Sequence, residues 1–300
     1  MKIVVAGATG FLGKALIESL KGEHEVIALV RHGQGVSGAV PVAWDGLHLG
    51  NWREQVDGAD VVVNYSGSPV TAKMNDENQR LMKATRVQPT YLMGQAIEGA
   101  EKPPRLWINA SAVGFYGSRG AEIVDETSER GTGFLAELCG LWEGSLDEPK
   151  LPNTRRVALR TGIVLGKGGG ALKPLLTLTK LFLGGAQGDG HQWMPWIHVD
   201  DHTAMVKWLI ANEDVSGPVN AVGPAPSLNS VFMQTLRKVV GRPPAPPAPR
   251  FMLELVGKIA GPDPEVILAS TRAVPKVAQA AGFKWKHPGL EEALRSIVKN

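Results

Sequence analysis

Through the first two thirds of the chain, short apolar runs alternate with polar stretches that carry helical periodicity. Ile3–Ala6 is apolar without alternation, the pattern of a strand buried on both faces. Phe11–Leu20 follows with Leu12, Leu16 and Leu20 on one helical face. The same signals predict strands at Val26–Val30, Asp60–Asn64, Leu106–Ala110, Arg156–Leu165 and Val219–Val222. They predict helices over about Glu77–Glu98, Phe134–Leu146 and His202–Ala211. Strands separated by helices imply βαβ units and a parallel sheet. Pro89 lies inside the longest helical pattern, where it removes a backbone donor and disfavours helix at Gln88, so a kink or break is predicted there.

Beyond Val222 the pattern changes. Ser227–Val240 reads as a helix with a serine cap at its start and Gly241 at its end. The run Pro243-Pro244-Ala245-Pro246-Pro247-Ala248-Pro249 is held extended and stiff by its fixed φ angles. A small helical tail, Phe251–Lys299, follows.

Composition narrows the function classes. With 300 residues the chain allows two domains, and 43% hydrophobic with 20% charged residues excludes global disorder. Lys and Arg number 32 against 29 Asp and Glu, and a net charge of +3 provides no general drive toward nucleic acid or an anionic membrane. The single cysteine, Cys139, excludes an intramolecular disulfide framework and any multi-cysteine metal cluster. No segment reaches the roughly 18 apolar residues of a membrane helix; Leu172–Leu183 is interrupted by Lys173, Pro174 and Lys180. No apolar core of a secretory signal follows Lys2. The expectation is a cytoplasmic protein with a small-molecule substrate, no nucleic-acid or membrane partner, and nothing against a homodimer.

The strongest local signal is Gly7-Ala8-Thr9-Gly10-Phe11-Leu12-Gly13, after a strand and opening a helix. The first glycine permits the tight turn, the second lets backbone approach a pyrophosphate, and the third lets helix pack close to strand. Gly7, Thr9, Gly10, Phe11, Leu12 and Gly13 are therefore cofactor-binding candidates. The second strand ends Val30-Arg31-His32, without the acid that would hold the ribose hydroxyl of NAD. A guanidinium suits a 2′-phosphate, so Arg31 favours NADP(H). Tyr65, Ser66 and Gly67 end the strand from Asp60, where a small-residue turn can lie against the cofactor. Arg86 and Arg160 are further cofactor candidates, with a structural salt bridge as the ordinary alternative for each.

Taken together, Gly7–Gly13, Asn64–Gly67 and Ser111-Ala112-Val113-Gly114-Phe115-Tyr116-Gly117 resemble the extended short-chain dehydrogenase/reductase superfamily. The finer pattern is similar to an atypical branch, the epimerase family proteins. It includes Trp44-Asp45, Phe134–Cys139, Trp142-Glu143, Leu159–Gly166, Gly168–Ala171, Gly190–Trp193 and Trp196–Asp201. Ala281-Gly282-Phe283 and Leu290–Leu294 resemble that branch's C-terminal module, so the likeness covers nearly the whole chain. It implies an α/β fold: a Rossmann-type doubly wound parallel sheet with a small, mostly helical C-terminal substrate or cap domain. The division implied is an NADP-binding domain over 1–225, with about 166–195 contributing to the crevice, and a module over 226–300.

The superfamily's usual chemistry needs a tyrosine with a lysine four residues later, since an ammonium must lower the phenol's pKa from about 10. Tyr65, Tyr91 and Tyr116 are followed at that spacing by Pro69, Gln95 and Gly120, so the pair is missing. Ser111 stands where the resemblance implies a serine that binds a substrate carbonyl. Tyr116 is a candidate proton donor, against a packing role. Cys139 is a candidate nucleophile, against a buried apolar residue. Glu137 is a candidate acid or base, against a solvated helix carboxylate. His198 and His202 flank Asp200-Asp201 at a spacing that can place two imidazoles on one helix face, which a zinc-dependent hydrolase would use. The alternative is an aspartate cap on a helix starting near His202. The resemblance also makes His191, Trp193 and His198 substrate-pocket candidates. An NADP(H)-dependent oxidoreductase acting on a small carbonyl or alcohol is the leading expectation; a non-catalytic NADP(H) sensor or scaffold is its rival.

Overall fold

The computed structural model describes residues 1–31, 35–70, 73–259 and 263–298. His32 and Lys299 lie outside the described residues. Seven strands form one sheet: β1 (Lys2–Ala6), β2 (Glu25–Val30), β3 (Val40–Ala43), β4 (Val61–Asn64), β5 (Leu106–Ala112), β6 (Arg155–Thr161) and β7 (Gly217–Ala221). Their spatial order is β7-β6-β5-β4-β1-β2-β3, and every neighbouring pair is parallel. The order reverses between β1 and β4, and such a reversal opens a crevice outside the carboxyl ends of the strands.

The helices are α1 (Phe11–Leu20), α2 (Asp76–Glu98), α3 (Phe134–Asp147), α4 (Leu172–Lys180), α5 (Val199–Ala211), α6 (Asn229–Val240), α7 (Arg250–Ile259), α8 (Pro264–Leu268), α9 (Lys276–Ala280) and α10 (Leu290–Val298). Leu16, Ile17 and Leu20 of α1 and Met205, Val206 and Leu209 of α5 cover one face of the sheet. Leu92, Met93 and Ile97 of α2, with Leu146 of α3, cover the other, packed in one cluster with Trp107 of β5. Burial on both faces explains why the inner strands read as continuous apolar runs. A third core joins Leu172 and Leu175 of α4 to Phe232, Met233 and Leu236 of α6 and Leu294 and Ile297 of α10. Thus α4 packs with the C-terminal elements, although it precedes residue 225.

Several boundaries differ from expectation. Helix α2 runs unbroken through Pro89. The proline ring is buried, and the packing of Leu92, Met93 and Ile97 outweighs one lost donor. The run 156–165 splits at Gly162, where a Cβ would lie 2.5 Å from the Pro195 carbonyl oxygen. Ile163–Leu165 instead pairs with Trp196–His198 in a separate two-stranded sheet. Ser227 caps no helix: Ser227–Leu228 pairs with Trp193–Met194, and α6 starts at Asn229 without a side-chain cap. Helix α5 starts at Val199, so Asp200 and Asp201 lie in its first turn and His198 is the cap, its Nδ1 accepting from the Asp200 N–H at 3.0 Å. The chain at 243–249 forms neither helix nor strand and docks through a bridge from Ala248 to Gln187. Among the described residues no helix is long and apolar enough to cross a membrane.

Candidate functional site

The turn between β1 and α1 is closed down to backbone. Gly7 has φ +71°, and a Cβ there would lie 2.6 Å from the Tyr65 carbonyl. A Cβ on Gly13 would lie 2.4 Å from the Gly7 oxygen. Gly10 donates its N–H to that same oxygen at 3.0 Å and ends the turn as the N-cap of α1. No side chain caps this helix and its first turn holds no acid. The first-turn N–H groups at Phe11, Leu12 and Gly13 have no acceptor within the helix and carry its positive end. The result is a cradle shaped for a phosphate rather than for a side chain. Phe11 and Leu12 offer it only backbone. Their side chains pack into the core, and a Cβ on Gly169 would lie 2.4 Å from the Phe11 ring. Thr9 is half-buried beside them.

Across the crevice, Tyr65 donates its N–H to the Ala6 carbonyl at 3.0 Å, and Ser66 donates to Asn64 Oδ1 at 3.0 Å. Gly67 packs against Arg86, with a Cβ position 3.1 Å from the guanidinium carbon. Arg86 donates to the Ser68 carbonyl at 2.8 Å and the Met82 carbonyl at 3.2 Å, and lies over the Trp142 ring at 5.1 Å. It therefore braces the 66–68 turn from beneath.

Arg31 follows β2, exposed on the rim of a groove shared with Trp44, Asp45, His48 and Trp52, and forms no ion pair among the described residues. Asp45 is engaged elsewhere. His48 and the Leu47 N–H bond its carboxylate and hold its pKa at about 2.

The Tyr65 hydroxyl is buried without a partner among the described residues, and burial drives its pKa upward. Its ring faces His202 at 5.8 Å. His202 is fully buried, with Nε2 3.3 Å from Thr161 Oγ1 and Nδ1 unpartnered among the described residues. Burial pushes its pKa down to about 4 from an ordinary 6.5. The folded protein thus refuses a proton that the unfolded chain accepts. Stability is unaffected above pH 6.5 and falls as pH drops from 6.5 to 4, by about 3 kcal/mol for a shift of this size. Urea unfolding across that window checks this. The expected slope is flattened in His202→Gln; an identical slope in both proteins would contradict it.

The remaining chemistry-bearing residues lie around the ends of β5 and β6 and on α3. Ser111 is buried and donates to Glu143 Oε1 at 2.5 Å. Arg160, opposite Ser111 in the β5–β6 register, donates from Nε to Glu143 Oε1 at 2.9 Å and from Nη2 to Oε2 at 2.7 Å. Its Nη1 donates to the Tyr116 hydroxyl at 3.1 Å, which donates to Asn220 Oδ1 at 2.7 Å. The Asn220 N–H reaches the buried Glu126, whose pKa burial raises. Arg160 is thus engaged in a side-chain network. Tyr116 is 0% exposed, and burial pushes its pKa up to about 12. Cys139 is buried, and burial followed by the nearby Glu143 pushes its thiol up to about 12, so it carries no thiolate. Glu137 is exposed on α3.

The pocket candidates do not converge. His191 is exposed near Asp189, while Trp193 stacks under Arg272 at 4.2 Å. His198 is buried against His287, ring centroids 4.0 Å apart. His202 turns toward Tyr65, so His198 and His202 do not share a face toward one ion. Among the described residues, His198, Asp200 and His287 bring their ligand atoms within 4.8 Å of one another, but Asp200 is paired with Lys286 at 3.1 Å. The sequence gives no chemical role to Glu143 or Asn220, and Asp125-Glu126 reads there as a solvated turn, whereas Glu126 is buried and accepts from the Asn220 N–H. Glu143 had two signals: its place in the Trp142-Glu143 motif, and an acid one turn beyond Cys139 on a helix face that must be buried.

Residues 3–133 match the model of the NAD dependent epimerase/dehydratase family, and residues 248–297 match a domain of unknown function, DUF1731. An Arabidopsis thaliana epimerase family protein, an SDR39U1 homolog described as chloroplastic, is 33% identical over 307 residues, covering 100% of this chain and 87% of that protein. An epimerase family protein of Mycobacterium bovis is 33% identical over 300 residues, covering 97% and 96%. The crystal structure of human epimerase family protein SDR39U1 with NADPH superposes with a TM-score of 0.88 at 30% identity, covering all of both chains.

Proposed function

The chain belongs to the epimerase family of extended short-chain dehydrogenase/reductase-like proteins, and from that premise we propose that it binds NADP(H) and acts as an oxidoreductase on a small carbonyl or alcohol compound. The observation that carries this reading is the closed glycine turn with its bare helix terminus after β1, next to β2, the strand that leads into Arg31, which forms no ion pair among the described residues. The first-turn N–H groups of α1 would hold the diphosphate, and Arg31 the 2′-phosphate. The Tyr65–Gly67 turn, braced by Arg86, would wall the crevice. When bound, the dinucleotide supplies the hydride donor or acceptor. The human relative solved with NADPH supports the choice of dinucleotide. A cytoplasmic location belongs to the same reading, although the Arabidopsis relative is described as chloroplastic.

A second reading, a non-catalytic NADP(H) sensor or scaffold, is favoured by the missing Tyr–Lys pair and by the burial of Tyr116 and Cys139. Mixing the protein and NADPH with a panel of aldehydes, ketones and α-hydroxy ketones, and NADP+ with secondary alcohols, separates the two. Turnover supports the enzyme; tight binding with no turnover supports the sensor.

Arg31→Asp tests the choice of dinucleotide. It should weaken NADPH binding by about 10–100-fold, the value of a charge-assisted phosphate contact, and leave NADH nearly unchanged. Equal losses for both, measured by calorimetry, would remove Arg31 from the 2′-phosphate.

A further inference from the structure

We propose that Glu143 takes the substrate's proton through the Ser111 hydroxyl, with Arg160 holding the carboxylate in place. This rests on the oxidoreductase reading above. Ser111 lies near the carboxyl end of β5, which pairs with β4 in the sheet, and keeps 4% exposure. Its hydroxyl points at Glu143 Oε1 from 2.5 Å, the short separation of an O–H bonded to a charged oxygen. Arg160 grips both carboxylate oxygens, at 2.9 and 2.7 Å. Phe115 lies against the guanidinium at 3.5 Å, and Tyr116 and Asn220 complete the hold. The carboxylate therefore cannot swing away from the serine.

The other proton carriers nearby are closed. Tyr116 is 0% exposed and donates to Asn220, and the Cys139 thiol, as buried as Ser111 at 4%, is held neutral by its surroundings. The Glu143 side chain keeps 13% exposure against 5% for Arg160, so an accepted proton has a way out. When an alcohol is oxidised, its C–H bond breaks and the electron pair passes as hydride to the NADP+ nicotinamide. Its O–H bond breaks as C=O forms. That proton goes to Ser111 Oγ as the serine's own proton moves to Glu143, which becomes a neutral carboxyl and later loses the proton to water. Carbonyl reduction runs the same steps backward. Without a Tyr–Lys pair, a serine backed by a fixed carboxylate provides the acid–base function.

The test uses the full chain as wild type, Glu143→Gln, Ser111→Ala and the double variant, with the panel compound that wild type turns over fastest. NADPH affinity by calorimetry should stay within about twofold in all four. Either single change should lower kcat by about 10²–10⁴-fold. The double variant should be no worse than the singles, because the two groups act as one unit. Infrared difference spectra on acidification should show a protonated carboxyl band that Glu143→Gln lacks. Ser111→Ala leaves the Arg160–Glu143 pair intact, so it decides the matter if Glu143→Gln fails to fold. Retained kcat in folded Ser111→Ala or Glu143→Gln, or additive losses, overturns the relay while the oxidoreductase reading stands. A wild type that binds NADPH and turns over no compound overturns that reading, and the relay with it.

Discussion

Arg160→Ala is expected to destabilise the fold by about 3–5 kcal/mol, because it strands a carboxylate in a nearly closed site. The pair is bidentate and largely desolvated, with the arginine side chain 5% and the glutamate side chain 13% exposed. Its charges therefore depend on each other rather than on water. The same substitution removes the donor to the Tyr116 hydroxyl and the cation over Phe115. A double change to apolar residues, Arg160→Met with Glu143→Leu, should cost less than either single change, since no orphaned charge remains. Urea unfolding midpoints of wild type, Arg160→Ala, Arg160→Met, Glu143→Leu and the double change measure this. Additive losses would show that the two side chains contribute separately and that the ion pair does not govern the site.

Gly13→Ala is expected to weaken NADPH binding by about 100-fold, which corresponds to losing one or two charge-assisted hydrogen bonds to phosphate. The added Cβ would sit 2.4 Å from the Gly7 oxygen and 2.7 Å from the Ala8 Cα, both backbone atoms with no room to rotate aside. The turn must open, and the first-turn N–H groups lose their common focus. Calorimetry on material with unchanged far-ultraviolet circular dichroism tests this. Wild-type affinity in such material would show that the close approach of helix to strand does not shape the phosphate cradle.

Much of the fold was legible where one physical signal dominated. The apolar run before Gly7 located β1, and the face formed by Leu12, Leu16 and Leu20 matched α1 at both ends. Tertiary forces decided the rest. Nothing local shows that Gly162 sits against the Pro195 carbonyl, so one long strand was read where two exist. The edge strand β3 contains Pro41 and is largely exposed, so it lacks the apolar run that revealed the inner strands.

The glycine cradle could be read from sequence because its chemistry is backbone chemistry at fixed spacing. The Ser111–Glu143–Arg160 constellation could not. It joins two strands and a helix whose facing residues are set by sheet register and helix rotation, and Arg160 read alone resembles any other arginine. Cys139 and Glu137 show the same limit from the other side: only burial distinguishes a protonated thiol in the core from a solvated carboxylate two positions earlier.

Titrating the wild-type chain with NADPH and, in parallel, with NADH tests the central claim most directly. The geometry predicts one NADPH bound per chain, with NADH weaker by at least about tenfold for want of the phosphate that Arg31 receives. Folded protein that releases no heat with either dinucleotide would contradict it.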